Sequence, residues 1–427
     1  MKKLLFVVAV LLAGVGAGTP AVAHGKRPDI DGVRVWNELA LTAVRTTRAT
    51  DADAARLYAM LDVAMYDAVN GLRTGPARRT PALVGESGPH GADPQAAAAS
   101  AAHAVLVRAD ADRTATYDAQ LAADLARLGP GTPVTRGAAW GERVGAAVST
   151  ARAGDGYRPV RSQPAGAGPG VFRAEWSGTQ YRDVLPFAVA DPARYVPGPP
   201  PALTSDTYAQ AFTEVKALGN AAIPAPDLLA TFQFWSLPAG SAQPPGEWLR
   251  IALTVSGDRD LPLGEQTRLT ALLTMALADT TVATVATKYT YRHWRPTTAI
   301  READTDGNPA TEPDPAWTPR AGSVGGSPEY VSGHSSYSGA AAAVLAGFFC
   351  TDRIAFTHAT DSAPGGVARS YPGFSAAATE AGSSRIYGGQ HFRFSDRAGQ
   401  AIGRGVAGEV LTTQLRYRDG HHGSCPH

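Results

Sequence analysis

The stretch from Gly264 to Tyr291 constrains the chain most. Its apolar residues Leu269, Leu272, Leu273, Ala276 and Leu277 recur at three- and four-residue steps, which predicts one long helix with a buried side. Shorter stripes of the same period surround it in the sequence. Val33, Trp36, Ala40, Ala43 and Val44 form the first. Leu57, Leu61, Ala64, Met65 and Ala68 form the second, with Thr50-Asp51 as a cap and Gly71 as a stop. Ala96 to Ala104, Tyr117 to Leu128 and Val134 to Ala151 continue the pattern, the last burying Trp140, Val144 and Val148. Further helices are expected from Ser205 to Leu218, Asp227 to Trp235, Gly246 to Val255, His334 to Phe349, Ser375 to Ile386 and Ser395 to Leu415. No run shows strand alternation bounded by turn signals. The fold class is therefore all-α.

Gly and Pro together number 78, while charged residues make up 18%. That balance predicts helices joined by long irregular loops, and two stand out, Gly154 to Pro201 and Thr305 to Tyr330. Loops of this length are functional or join domains. The first divides an N-terminal helical region, 24–200, from a C-terminal bundle, 201–427. A net charge of +1 gives no basic face for nucleic acid. At the start, Met1-Lys2-Lys3, the apolar run Leu4 to Leu12 and Ala21-Val22-Ala23 have the layout of a signal peptide over 1–23. Cleavage after Ala23 and secretion are the expectation. No later run reaches 18 uninterrupted apolar residues, so no membrane span is expected in the mature protein. The only cysteines, Cys350 and Cys425, could pair in an exported protein and close a loop worth up to ~4 kcal/mol, or remain two thiols. The terminal His421, His422, Cys425 and His427 could hold a divalent metal or be a polar tail.

Three segments carry chemistry. Lysine occurs only five times, so Lys288, seven residues before Arg295-Pro296, is not a by-product of composition. Two turns of helix would place Lys288 and Arg295 on one face, with Pro296 closing the helix. A lysine point charge and an arginine fork together suit a phosphate-like anion. Ser332-Gly333-His334 stands before an alanine-rich helix. Free N–H groups there bind oxyanions, Gly lets the main chain approach, and a neutral His334 could move a proton. Ser384-Arg385 is followed by Gly388-Gly389 and His391, a turn that aims His391 at the same place. His293 and Trp294 would face away on a regular helix and are read as structural.

The order K-x6-RP, SGH, SR-x5-H resembles the signature shared by vanadium-dependent haloperoxidases and the type 2 phosphatidic acid phosphatase (PAP2) superfamily. Val35-Trp36-Asn37-Glu38 and Ala64-Met65-Tyr66-Asp67-Ala68-Val69-Asn70 also resemble the N-terminal helices of secreted bacterial haloperoxidase-like proteins. The resemblance implies two helical bundles, with vanadate or phosphate in the C-terminal one. It implies that Lys288, Arg295, Ser332, the Gly333 N–H and Arg385 hold the anion's oxygens. It further implies that His391 ligates vanadium and that His334 is the acid–base at the apical oxygen. Hydrogen peroxide, a halide and a small organic acceptor would be the partners, in a homodimer like those of bacterial relatives. In the phosphatase alternative His391 would attack phosphorus and His334 would protonate the leaving alkoxide. A non-catalytic oxyanion-binding protein is the third reading. Two positions depart from the pattern: Val331 stands where the family has proline, and Ser327 where chloride-oxidising fungal members have an aromatic residue. The second points to bromide or iodide rather than chloride.

Overall fold

The computed structural model describes residues 32–417. The stretch expected to be a signal peptide, Cys425 of the candidate pair and the terminal histidines lie outside the described residues.

The first helices are α1 (Gly32–Thr47), α2 (Asp51–Gly71), α3 (Pro94–Ala109), α4 (Thr114–Leu128) and α5 (Thr132–Arg152). Thr50 caps α2 by accepting from the Asp53 N–H, and Asp51 and Asp53 place negative charge in its first turn. Helices α3 and α5 pack backbone to backbone. A Cβ at Gly141 would lie 2.1 Å from the Ala97 carbonyl oxygen, so the polyalanine of α3 needs glycine opposite it.

The remaining helices are α6 (Asp206–Leu218), α7 (Pro226–Phe234), α8 (Gln243–Asp258), α9 (Leu263–Tyr291), α10 (Pro296–Arg301), α11 (Gly333–Phe349), α12 (Phe374–Tyr387) and α13 (Arg393–Thr413). Helix α9 is the axis. It packs on α2 from the first group and on α8, α11 and α13 from the second. By length and composition it could cross a membrane, but 89% of its apolar window is buried inside the protein. One apolar cluster runs from Trp36 and Tyr58 through Leu272 and Met275 to Phe348 and Val406. Each such side chain contributes roughly 1.5–3 kcal/mol on burial. Strands are confined, among the described residues, to two short antiparallel pairs: β1 (Ser162–Gln163) with β2 (Trp176–Ser177), and β3 (Phe356–His358) with β4 (Arg369–Tyr371).

The long loop after α5 is pinned to α9. The fully buried Asp279 accepts hydrogen bonds from the N–H groups of Phe187 (2.7 Å), Ala188 (2.8 Å) and Val189 (2.8 Å). The Arg152 guanidinium lies 3.8 Å from the Phe187 ring centre. Pinned in this way, the loop sets Trp176, Gln180 and Tyr181 beside α9 and the starts of α2 and α11, around one cavity.

Candidate active site

Helix α9 stops short of the motif it carries. Arg292 takes a left-handed conformation (φ 48°, ψ 34°) and closes the helix with its N–H on the Lys288 carbonyl at 3.0 Å. Arg295 is extended, and Pro296 opens α10 instead of ending α9. This corrects the sequence expectation of one helical face. Proline's missing N–H suits the first position of a helix, and the residue before proline prefers extended backbone. The two cations still converge, both buried. Lys288 Nζ donates to the Pro328 carbonyl. Arg295 Nε donates to the Ser327 carbonyl at 2.8 Å, and its Nη1 to the Gln390 carbonyl at 2.8 Å.

The second wall is the start of α11. Ser332 is its cap, with Oγ accepting from the Ser335 N–H at 3.3 Å. Gly333 and His334 occupy the first turn, where backbone N–H groups have no intrahelical partner. His334 Nε2 lies 3.3 Å from the Ser236 carbonyl oxygen.

The third wall is the end of α12. Arg385 sits in its last turn, and Gly388-Gly389 reverse the chain. Gly389 has φ 74°, and a Cβ there would lie 2.7 Å from the Trp317 ring, so both conformation and space demand glycine. Arg385 Nη1 donates to the Trp235 carbonyl at 3.3 Å and Nη2 to Gln390 Oε1, while Nε is buried without a hydrogen-bond partner. His391 completes the wall, its Nε2 accepting from Arg295 Nη1 at 3.0 Å.

Glu329 holds this arrangement from behind. It is fully buried, and its Oε1 accepts from His391 Nδ1 at 3.1 Å and from the Phe392 N–H at 2.9 Å. A carboxylate on Nδ1 fixes the tautomer with the proton there, leaving the Nε2 lone pair turned to the cage. His293 is not a bystander as the helical reading had it. Its Nδ1 lies 3.4 Å from the other Glu329 oxygen, in a nest of Tyr208, Phe392 and Phe394 rings. Trp294 is buried structure as expected.

The electrostatics follow from burial. Burial and then Arg295 hold Lys288 well below the usual lysine range. Burial brings Arg295 down to about 10, with Glu329 opposing; burial and then Arg295 bring Arg385 to about 9. Both histidines are pushed well below their ordinary value by burial, His334 then by Arg385 and His391 by Arg295. Burial alone would raise Glu329, but His293 and His391 outweigh it and its carboxyl lies far below the usual range. Three crowded buried cations and a fixed imidazole form a site that a multiply charged oxyanion would relieve. The unpartnered Arg385 Nε is a donor that such an anion would satisfy. No group of three His, Cys, Asp or Glu among the described residues could hold a bare cation. A metal fits this site as an oxyanion with one histidine ligand, and the residues present suit vanadate and phosphate alike.

All seven sequence-derived site residues, Lys288, Arg295, Ser332, Gly333, His334, Arg385 and His391, lie on these three walls. Glu329 and Gln390 carried no role in the sequence reading; Glu329 meets His391 and Phe392 from 62 and 63 residues away and leaves no local pattern. Asp51 was read only as a helix start. It lines a cavity of about 330 Å³ that also reaches Lys288, Ser327 and Gly333.

Residues 268–420 match a family model described as the VCPO second helical-bundle domain. No curated protein matches the chain in sequence. Among solved structures, the first bacterial vanadium-dependent iodoperoxidase superposes with a TM-score of 0.79 at 22% identity, covering 92% of this chain and 98% of that one. The apo form of a bacterial vanadium-dependent chloroperoxidase gives 0.62 at 15% identity, over 84% and 92%. Its holo form gives 0.63 at 16%, over 85% and 92%. The fold is that of these helical enzymes, and residues 268–420 match the family's second helical-bundle domain.

Proposed function

We propose that the protein is a vanadate-dependent haloperoxidase that oxidises iodide or bromide with hydrogen peroxide. The observation that carries the reading is the buried cage of Lys288, Arg295 and Arg385 around an imidazole whose Nε2 Glu329 keeps unprotonated. Vanadate, when bound, supplies a Lewis-acidic centre that activates hydrogen peroxide toward halide. In this reading Lys288, Arg295, Ser332, the Gly333 N–H and Arg385 would hold its oxygens, and His391 would ligate through Nε2. Glu329 keeps the proton on Nδ1, so that Nε2 stays a ligand. His334, held neutral by burial, would accept and return a proton at an oxygen of the bound anion. Burial of the cage side chains strengthens the charge interactions among them.

Preference for iodide or bromide is supported by Ser327. Its carbonyl accepts from Arg295, and a small side chain stands where the resemblance places an aromatic one in chloride oxidisers. The reading includes a secreted mature chain from His24, a small organic acceptor and a homodimer, with the site in the bundle over 201–427.

The test uses mature protein stripped of phosphate, with orthovanadate, hydrogen peroxide and iodide or bromide, and an aryl phosphate in parallel. Halide oxidation that requires vanadate and is competed by phosphate is the expected result. Ester hydrolysis inhibited by vanadate, with no halide oxidation, would assign the cage to phosphate-ester hydrolysis through His391.

A further inference from the structure

The cavity that reaches the cage has an unexpected acid at its inner end. Of about 330 Å³, it is walled by Trp176 and Tyr181 from the pinned loop and meets the cage at Lys288, Ser327 and Gly333. His334, the acid–base of the proposed reaction, does not line it. That imidazole lies beside the Ser236 carbonyl, under the influence of the Arg385 charge. A small reactant arriving through this cavity meets Asp51 instead.

Two carboxylates on the first turn of α2 face this space, and they differ. Asp53 is occupied: it accepts from Tyr181 Oη at 2.6 Å, Arg158 Nη1 at 3.2 Å and Thr50 Oγ1 at 2.9 Å. Asp51 Oδ1 accepts from the Ala52 N–H at 2.9 Å, and Oδ2 takes no hydrogen bond from another described residue. A Cβ built on Gly333 would lie 3.8 Å from that Oδ2, so the free oxygen stands beside the main chain that would bind an oxyanion. The charged and titratable groups around it are Asp53 on its own helix, Arg158 and Tyr181 on the loop, Lys288 on α9 and Tyr337 on α11. Burial raises the carboxyl from its ordinary range, with the Ala52 N–H and Lys288 opposing. That brings it nearer to neutrality, where a general base works best.

We propose that Asp51 is a second proton-transfer residue, serving the hydrogen peroxide that enters through this cavity. The inference rests on the peroxidase reading. Hydrogen peroxide would give one proton to the carboxylate, and the carboxyl would pass it to a hydroxyl of the bound anion, which would leave as water as the peroxide oxygen replaces it. The proton count is unchanged and nothing is oxidised in this step. Asp51 lines the cavity and His334 does not, so neither substitutes for the other.

The test compares wild type with Asp51→Asn, whose side-chain oxygen still accepts from the Ala52 N–H, and with Asp51→Glu. Phosphate binding by equilibrium dialysis across pH 5–8 is read beside iodide oxidation with vanadate. In Asp51→Asn, phosphate should bind about threefold or more tightly at pH 7 with a flatter pH dependence, because a like charge is gone. Iodide oxidation should fall about 100-fold in kcat/KM for peroxide, and Asp51→Glu should recover part of it. Unchanged phosphate binding would overturn the inference whatever becomes of the peroxidase reading. So would turnover within about twofold of wild type, or a parallel loss of phosphate binding and turnover, which marks a merely structural residue. A wild type that hydrolyses aryl phosphate and oxidises no halide refutes the peroxidase reading and the peroxide step with it, while the dialysis still reports where the carboxyl stands.

Discussion

Asp279 and Glu329 are both fully buried carboxylates that anchor loops, yet their chemistry runs in opposite directions. Asp279 takes three backbone N–H groups of the loop after α5, and burial lifts its carboxyl to about 6 against them. Asp67 repeats the device, holding Ala82, Leu83 and Val84, and is likewise raised to about 6. Glu329 has one N–H and two imidazoles, and its carboxyl is driven down despite burial. Neutral donors hold a chain in place without deciding the charge of the carboxyl. Imidazoles make the carboxylate a fixed negative charge, which in turn fixes the tautomer of His391. The first arrangement is scaffold; the second tunes a reactive atom.

Substitutions should separate the two regions. The largest effect is expected from His391→Ala, which removes the proposed ligand: vanadate-dependent halide oxidation should fall by more than about 100-fold, the upper range for groups that merely orient a ligand. Glu329→Gln should cost about 10–100-fold in vanadate affinity by equilibrium dialysis, with helix content unchanged by circular dichroism. Asp279→Ala should behave inversely. Leaving the three N–H groups without an acceptor should cost about 3 kcal/mol of unfolding free energy in urea, with vanadate affinity within about twofold of wild type. A loss of affinity there equal to that of Glu329→Gln would erase the distinction.

The smallest effect is in pH. Asp279 is raised from 3.8 to about 6 on folding, so the stability it contributes is full below 3.8 and lost as pH rises through about 6. Glu329 is lowered, so its contribution is present above 4.5 and lost only as pH falls toward its depressed folded value. Asp279→Asn should therefore flatten the slope of stability between about pH 4 and 6, whereas Glu329→Gln should flatten it only on the acid side. Slopes of the same sign for the two variants would contradict the assignment.

The cage was legible in the sequence because its donors are of restricted type and stand in short segments: a rare lysine, an arginine before proline, a serine and glycine at a helix start. The helical scaffold was legible from apolar period, and the predicted ends of α9, α11 and α12 lie within two residues of those observed. The common face for Lys288 and Arg295 failed at Arg292, whose left-handed backbone needs no glycine and so leaves no sign in the sequence. His293 was misjudged for the same reason, since the break turns it toward Glu329. Glu329 itself could not be assigned: its partner His391 is 62 residues away, and one buried glutamate makes no periodic pattern. The loop anchored by Asp279 spans a wider gap, 90 to 92 residues.

The most direct measurement is a crystal structure of the mature protein grown with orthovanadate. The account predicts vanadium on His391 Nε2, its oxygens contacting Lys288, Arg295, Arg385, Ser332 and the Gly333 N–H, and Glu329 still on Nδ1. Vanadate bound elsewhere, or His391 turned with Nε2 on Glu329, would contradict it.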